Sequence, residues 1–435
     1  MKKNLFLAAA AVAMLASCSQ NDLEAPVVAE AQQTAIEFGT YLGKAATSRA
    51  GWAGAMTNDN LKESSKSNGF GVFGFYTNNG DYSATESPVN FMYNEHLTWN
   101  DKWEYSPLKY WPNETANGIV DQNDANATNA DKLTFFAYAP YVATTNEGTF
   151  SPAETEGITK LTGNDIDGDP KVYYTIASDA DNTVDLLWGV VPESTEYSIA
   201  QSSTKQAPNV GLPNLNLTKQ TINETVDFSL RHALAKITFT VQGAFNELTP
   251  TNNDVDGSTR IVIDNVAIET EFHKSGILNL NNTVPNTPNW TTAGSGNISF
   301  NINNDDIVAG TAGAAGLKYS GTDTYESQPL GVTKTKQYLM DADGTTKYFT
   351  VIPEEDKDVT ITITYRVYTV DSKLKSGFSV VENVITKTID DFDAVGGKAY
   401  NINLLLGMTS VKVDATVANW EDAAETPVNL PINVN

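Results

Sequence analysis

The sequence of 435 residues is long enough for two domains, and its hydrophobic (40%) and aromatic (10%) content is too high for a wholly disordered chain. Its 53 acidic side chains against 28 basic ones give a formal net charge of −25, which repels phosphate backbones and disfavours nucleic-acid partners. With three histidines and one cysteine, the chain is poorly equipped for zinc fingers, iron–sulfur clusters or disulfide frameworks, so we expect no metal and no cofactor.

The first residues have the pattern of an export leader. Lys2 and Lys3 precede an apolar run over residues 5–15, which is too short to span a bilayer and is typical of a secretory signal. Small residues before Cys18, with a leucine three positions ahead, resemble the lipobox of bacterial lipoproteins. That resemblance implies removal of residues 1–17 and acylation of Cys18, whose two or three acyl chains would anchor the protein stably. The alternative is an ordinary signal with a chance cysteine.

The segment after the leader alternates as a strand does. Ile36, Phe38 and Leu42 share one face of an apolar–polar alternation, which predicts a first β-strand. Small residues follow it and enclose Arg49 and Ala50, a setting typical of an exposed loop that proteases cut. We therefore predict a cleavage site between Arg49 and Ala50.

The rest of the chain predicts an all-β protein. Short runs rich in Thr, Val, Ile, Tyr and Phe alternate with period two between clusters of Asn, Asp and Gly, as in β-sandwiches. After a polar tether at residues 18–33, we predict an N-terminal sandwich over residues 34–225 and a C-terminal sandwich over residues 226–435. The first strand of the N-terminal sandwich, at about residues 35–49, is predicted to be removable.

Residues that could carry chemistry favour structural roles. Paired carboxylates could serve a glycosidase, but so many acids place some pairs together on any solvated surface. The Asp-rich stretches 165–169 and 341–344 hint at calcium loops, yet neither has the closing glutamate, and turns explain them better. His232 lies in an apolar segment, typical of a core or capping histidine. We therefore expect no catalytic residue and no enzyme.

Aromatic residues cluster twice in the first half, over residues 99–105 and 110–112. They could form a platform on which sugars stack, and a buried aromatic corner is the competing interpretation.

The last residues alternate apolar and polar, as a donated strand would. Pro431 counts slightly against donation, because it cannot give a ladder hydrogen bond when its position faces a partner strand. The tail could instead pair within its own domain, or the strand at residues 411–417 could be the donor. The predicted inward-facing donor positions are Val428, Leu430, Ile432 and Val434.

These features combine into one assembly hypothesis. Cleavage after Arg49 would remove the first strand and leave an apolar trough between unpaired strand edges. A terminal strand from a neighbouring copy could fill that trough by β-augmentation. Head-to-tail contacts that do not close into a ring produce a filament.

In the order of its motifs the sequence resembles a known family, the fimbrillins of Bacteroidales, which are subunits of type V pili. The resemblance covers nearly the whole length and begins at the lipobox. Its motifs are FGVFGF at residues 70–75, MYN at 92–94 leading to Trp99, YWP at 110–112, FFAYAPY at 135–141, DLLW at 185–188 and FSLRHALAK at 228–236.

The resemblance implies two tandem transthyretin-like β-sandwiches, exported as an acylated precursor to the cell surface and anchored in the outer membrane. It also implies trimming by an arginine-directed protease at Arg49 and strand exchange with other pilin subunits, either identical copies or related fimbrillins. The fibre would adhere to a host or bacterial surface ligand. The alternative is a monomeric surface lipoprotein that binds glycans through exposed aromatic residues.

Overall fold

The computed structural model describes most of the protein between residues 35 and 429. The described residues are 35–42, 56–63, 68–78, 80–112, 131–143, 156–164, 166–178, 183–193, 209–218, 225–244, 259–303, 336–339, 348–407, 411–420 and 428–429.

The elements of the described residues are one short helix and twenty strands, which confirms the predicted all-β class. The first half contains β1 (Glu37–Tyr41), α1 (Asn58–Lys62), β2 (Phe70–Asn78), β3 (Met92–Asn100), β4 (Lys102–Glu104), β5 (Lys132–Ala139), β6 (Gly157–Leu161), β7 (Lys171–Thr175), β8 (Leu187–Val190) and β9 (Asn214–Leu217). The second half contains β10 (Thr225–His232), β11 (Ala235–Gly243), β12 (Thr259–Asn279), β13 (Asn289–Asn303), β14 (Gln337–Tyr338), β15 (Tyr348–Val351), β16 (Lys357–Val370), β17 (Phe378–Phe392), β18 (Lys398–Leu406), β19 (Val411–Asn419) and β20 (Val428–Asn429).

The strands form three sheets. The first sheet has the order β1-β10-β8-β5-β2-β3-β4, with β9 paired to β5. The second has the order β14-β11-β18-β19-β20, with β15 paired to β11. The third has the order β17-β16-β12-β7-β6, with β13 paired to β12.

The first sheet curls until its two ends meet. Ala35, just before β1, forms an antiparallel bridge with Tyr110, which follows β4 in sequence. The indole Nε1 of Trp103 in β4 donates a hydrogen bond of 2.8 Å to the hydroxyl of Thr40 in β1. β1 therefore lies in a seam, which we define as the space between β10 on one side and residues 103–110 on the other.

The central strands of the first sheet are buried on both faces. Phe73 and Phe136 pack into the large core shared with the other two sheets. Phe70 and Phe135 point the other way, into a second core inside the curled sheet. Burial on both faces explains why β2 and β5 are almost continuously apolar where a half-exposed strand would alternate.

Hydrogen bonding crosses the predicted boundary between residues 225 and 226. β10, which starts at Thr225, pairs with β8 and β1 of the first sheet. β7, from the predicted N-terminal sandwich, pairs with β12 of the third sheet. Described strands on the two sides of residue 225 are therefore paired with one another in shared sheets.

Candidate functional site

The predicted first strand is present and occupies the seam. β1 pairs in parallel with β10, in a register that runs from Glu37 opposite Thr225 to Tyr41 opposite Ser229. The three apolar side chains predicted to share a face are all buried: Ile36, Phe38 and Leu42 are 1%, 5% and 2% exposed. This face of β1 is thus part of the second core, although β1 is the terminal strand of its sheet.

Phe38 is the central contact of β1 with that core. Its ring lies edge-on to Tyr105 and to Phe135, each with ring centroids 5.5 Å apart, and it stacks on Phe228 at 6.2 Å. Aromatic pairs in these geometries stabilise beyond the area they bury. The three partners come from β5, β10 and the segment after β4, so a single residue of β1 connects both walls of the seam.

The N-terminal end of β1 is fixed on the side away from β10. The backbone N–H of Ile36 donates to the carbonyl oxygen of Lys109 at 2.9 Å, and the Tyr105 hydroxyl donates to the carbonyl oxygen of Ile36 at 2.9 Å. Burial raises the pKa of Tyr105 to about 12, so the phenol keeps its proton and remains a donor at neutral pH.

The C-terminal end of β1 is fixed by helix α1. The Asn58 side chain accepts a hydrogen bond from the Leu42 N–H at 3.1 Å and donates one to the Leu42 carbonyl oxygen at 2.5 Å. Asn58 follows Thr57, whose hydroxyl oxygen caps the helix by accepting from the Asn60 N–H. The helix thus holds Asn58 in position to replace a partner strand at the point where β1 ends.

The segment that follows the predicted cleavage loop is fixed separately. The Met56 N–H donates to a carboxylate oxygen of Asp185 at 2.6 Å, and this carboxylate also lies 2.9 Å from Nδ1 of His232. His232 is 3% exposed and stacks on Trp420 with ring centroids 4.3 Å apart. His232 is therefore a buried core histidine, one of the two sequence interpretations, and through Asp185 it helps to hold Met56 independently of β1.

Of the C-terminal tail, the structure describes residues 428 and 429. Val428 and Asn429 form β20, which pairs antiparallel with β19 through Val417 and Thr416. Val428 thus pairs within its own subunit over this two-residue strand. The remaining predicted site residues lie outside the described residues: Cys18, Arg49, Ala50, Leu430, Ile432 and Val434.

The aromatic cluster is largely a buried corner. Trp103, Tyr105 and Trp111 are 6%, 8% and 3% exposed and line the second core. Trp99 and Tyr110 keep exposed faces, and the ammonium of Lys62 lies 4.1 Å from the centre of the Trp99 ring. Of the aromatic residues considered as a platform for sugars, Trp99 and Tyr110 are the two that stay exposed.

The polar clusters serve packing. In the first Asp-rich stretch, the Asp169 carboxylate accepts hydrogen bonds from Tyr82, Asn279 and Asn281, while the second stretch lies outside the described residues. Within the described part of the protein, no group of three or more His, Cys, Asp or Glu residues is placed to hold a metal ion. The same part contains no helix that is both long and apolar enough to cross a membrane.

The sequence predicted the inward-facing residues of β1 but missed the residues that fix it. Tyr105, Lys109, Asn58 and Trp103 contact β1 from distant positions, and no local pattern marks them. The YWP motif was the nearest signal, since Tyr110 directly follows Lys109. The fold and this seam together define the class of the protein: an all-β protein of packed sheets whose first strand completes a curled sheet.

Two known proteins are similar to this one, one in structure and one in sequence. A fimbrial protein from Bacteroides vulgatus superposes with a TM-score of 0.58 at 18% identity, covering 89% of this chain and 99% of that one, so the two share a fold. The fimbrium subunit Fim1C of Phocaeicola vulgatus is 33% identical over 122 residues. That match spans 27% of this chain and about a quarter (26%) of Fim1C. No family model matches the sequence. The resemblance of this protein to the Bacteroidales fimbrillins is thereby confirmed.

Proposed function

We propose that this protein is a structural subunit of a surface fimbria that polymerises by strand exchange and serves cell adhesion. The similarity to a fimbrium subunit and the fold shared with a fimbrial protein support the subunit role. The observation that supports the exchange mechanism is the position of β1. This terminal strand of the first sheet buries Ile36, Phe38 and Leu42 in the seam between β10 and residues 103–110.

The position of the proposed cleavage site fits removal of β1. Arg49 lies in the stretch between Leu42, the last residue fixed by Asn58, and Met56, which is fixed by Asp185. A cut after Arg49 would break the covalent link between β1 and the rest of the protein, while Met56 would stay bonded to Asp185 on the C-terminal fragment. β1 would then be held only by non-covalent contacts and could be displaced.

The precursor would reach the surface as a lipoprotein. In this proposal Cys18 carries the acyl chains that anchor the uncut precursor in the outer membrane, and residues 18–33 tether the first sheet to that anchor. Cleavage after Arg49 removes the anchor and the first strand together. Release from the membrane and competence to accept a neighbour would therefore arise in one step.

The empty seam would favour a replacement strand. Three buried apolar side chains leave with β1, and burial of each stabilises by about 1.5–3 kcal/mol. The tail offers four apolar residues at alternate positions, Val428, Leu430, Ile432 and Val434. Their burial would offset the loss, and ladder hydrogen bonds to β10 would add to it. β19 is a poorer donor, because it pairs over nine residues with β18 and its departure would split the second sheet.

Controlled proteolysis tests the exchange. The precursor with Cys18→Ser is incubated with an arginine-specific protease and run on a denaturing gel without boiling, where we expect a ladder of multimers that collapses on boiling. The matched control is Arg49→Ala, which should stay monomeric under the same protease. Complete removal of residues up to Arg49 without any ladder would support a monomeric lipoprotein.

Truncation tests the donor. Removal of residues 427–435 should leave a folded protein that accepts a strand but cannot donate one, so the cleaved truncated protein alone forms no ladder. When it is mixed with cleaved full-length protein, it should terminate growing ladders and shorten them. If the truncated protein polymerises as well as the full-length one, the tail is not the donor.

Adhesion to a glycan is the second candidate role, and it is favoured by the exposed faces of Trp99 and Tyr110. Binding of the purified protein to a polysaccharide array, lost in Trp99→Ala and retained in the buried-core control Trp111→Phe, would support it. Binding that survives both substitutions would place the ligand elsewhere.

A further inference from the structure

We infer that the incoming tail runs antiparallel to β10, opposite in direction to the β1 strand that it replaces. This inference rests on the proposed strand exchange and adds the polarity of the donated strand. It follows from which backbone groups of β1 face each wall of the seam, and from the position of one proline in the tail.

In β1 the direction of a side chain and the direction of its backbone groups are coupled. Successive residues of a strand alternate both in the face of the side chain and in the edge to which N–H and C=O point. Ile36 and Leu42 point inward, and the N–H and C=O of both bond on the side away from β10. Inward-facing residues of β1 therefore turn their backbone groups away from β10, and Glu37, Gly39 and Tyr41 turn theirs towards it.

A tail inserted in the direction of β1 would meet a defect at its centre. With the four apolar residues inward, Val428 to Val434 take the places of residues 36 to 42, and Pro431 takes the place of Gly39. Its nitrogen would then face β10, where a ladder hydrogen bond needs an N–H that proline does not have. The donated strand would therefore lose, at its centre, one of the few hydrogen bonds that pair it with β10.

Reversing the tail removes this defect. Rotation by a half turn about the sheet normal keeps the same side chains inward but exchanges the two edges of the strand. Leu430 and Ile432 then present N–H and C=O to β10, and Pro431 faces the other wall. On that wall β1 makes its described backbone bonds at its ends, through Ile36 and Leu42, so a proline at the centre interrupts neither of these positions.

The reversed register is also consistent with the groups of β10. In a parallel pair, residues whose side chains lie on the same face direct their N–H and C=O groups to the same side. The inward-facing residues of β1 direct theirs away from β10. The backbone groups of the inward-facing Val226 and Phe228 of β10 therefore point into the seam. Opposite them, Ile432 and Leu430 would form the hydrogen-bonded pairs of an antiparallel ladder. Two outward-facing residues, Asn433 of the tail and Thr225 of β10, would then form a non-hydrogen-bonded pair, whose Cα atoms lie about 4.5 Å apart.

Cysteine crosslinking distinguishes the two directions. Thr225→Cys is combined with Asn433→Cys, which is adjacent to it only in the antiparallel tail, or with Asn429→Cys, which is adjacent only in the parallel one. Adjacent strands satisfy the Cα separation that a disulfide requires. Both variants carry Cys18→Ser, are cleaved after Arg49, and are oxidised after the ladder forms; Thr225→Cys alone gives the background.

With cysteines at 225 and 433, we expect a ladder that survives boiling and collapses when a reductant is added. With cysteines at 225 and 429, we expect crosslinking to stay at background. Crosslinking by the 429 pair instead would overturn the polarity while leaving strand exchange intact. A ladder that neither pair crosslinks would show that the tail does not fill this register, which also overturns the inference. Absence of any ladder would reject the proposed function itself.

Substitution of the proline gives an independent readout. Pro431→Ala restores an N–H. In the antiparallel tail that N–H faces the wall away from β10, so the temperature at which the ladder dissociates should change little. A clear rise in that temperature would indicate the parallel direction and contradict the inference. Leu430→Ala is the control, because it removes an inward side chain in either direction and should lower the dissociation temperature.

Discussion

The two terminal strands at opposite ends of the described structure are held very differently. β1 pairs over five residues, buries three apolar side chains and is bonded at both ends by residues of other elements. β20 pairs over two residues at the edge of the second sheet. A position at the edge of a sheet therefore does not by itself make a strand easy to remove, since burial and side-chain bonding decide how firmly it is held.

The difference suits the two proposed roles. A strand that must complete the first sheet until cleavage has to stay bound in the intact precursor. A strand that is to be donated has to leave its own sheet at little free-energy cost. The contacts of β1 meet the first requirement. For β20 the structure describes a pairing of two residues, so the comparison can be tested by disturbing each strand in turn.

Deletion of β1 should produce the largest effect. In a protein already lacking residues 428–435, so that no donor is present, further removal of residues 1–49 deletes three buried apolar side chains, at about 1.5–3 kcal/mol each. Because whole domains are stable by only about 5–15 kcal/mol, we expect partial or complete unfolding. Urea denaturation followed by circular dichroism measures this, and unchanged midpoints would refute the structural role of β1.

Truncation of the central side chain of β1 should come next. Phe38→Ala in the uncut precursor should lower the free energy of unfolding by about 3–5 kcal/mol, because it leaves a cavity among Tyr105, Phe135 and Phe228. The control is Glu37→Ala in the same strand, which removes only a surface ion pair to Lys102 and should cost about 0–1 kcal/mol. Equal urea midpoints for the two variants would mean that β1 is not packed as described.

Loss of the bond between the two walls should have a smaller effect. Thr40→Val leaves the buried Trp103 Nε1 without its acceptor and should lower the free energy of unfolding by about 1–3 kcal/mol. Thr40→Ser keeps the hydroxyl and is the matched control. If valine and serine give the same thermal midpoint, the hydrogen bond across the seam does not contribute to stability.

Deletion of residues 428–435 should have the smallest effect on the uncut precursor. Only the two-residue pairing of β20 with β19 is lost from the described structure, so we expect a change within about 0.5 kcal/mol, as for ordinary surface substitutions. Thermal unfolding of the truncated and full-length proteins measures it. A loss comparable to that of Phe38→Ala would mean that the tail belongs to its own core, and the contrast between the two ends would disappear.

Local patterns predicted the elements well. Alternation placed a strand over the residues that became β1 and identified its buried face, since Ile36, Phe38 and Leu42 are the side chains that the structure buries. The same reasoning gave a buried aromatic corner as one of two interpretations of the cluster around Trp103 and Trp111, and a core position as one of two for His232; the structure buries all three side chains. In each case the signal is the side-chain period of a strand or the apolar surroundings, which neighbouring residues already carry.

The organisation of the sheets could not be predicted in this way. The sequence predicted two sandwiches that meet at residue 225, and it did not predict that β10 pairs into the first sheet or that β7 pairs with β12 of the third. The residues that fix β1, including Asn58 and Lys109, were missed for the same reason. Their role depends on which strands become neighbours, and loop composition carries no information about that.

The amino-acid sequence by itself determined the all-β class and the buried face of β1, because these depend on residue type and a spacing of two. It also carried the order of motifs in which the protein resembles the fimbrillins. Only the tertiary structure decided that β1 lies parallel to β10, far away in sequence, and that the sheet curls until Trp103 reaches Thr40. Pairing between distant strands is chosen by the packing of the whole core. That pairing sets the side to which each N–H and C=O group of β1 points. The direction inferred for the donated tail depends on it and could not be read from the sequence.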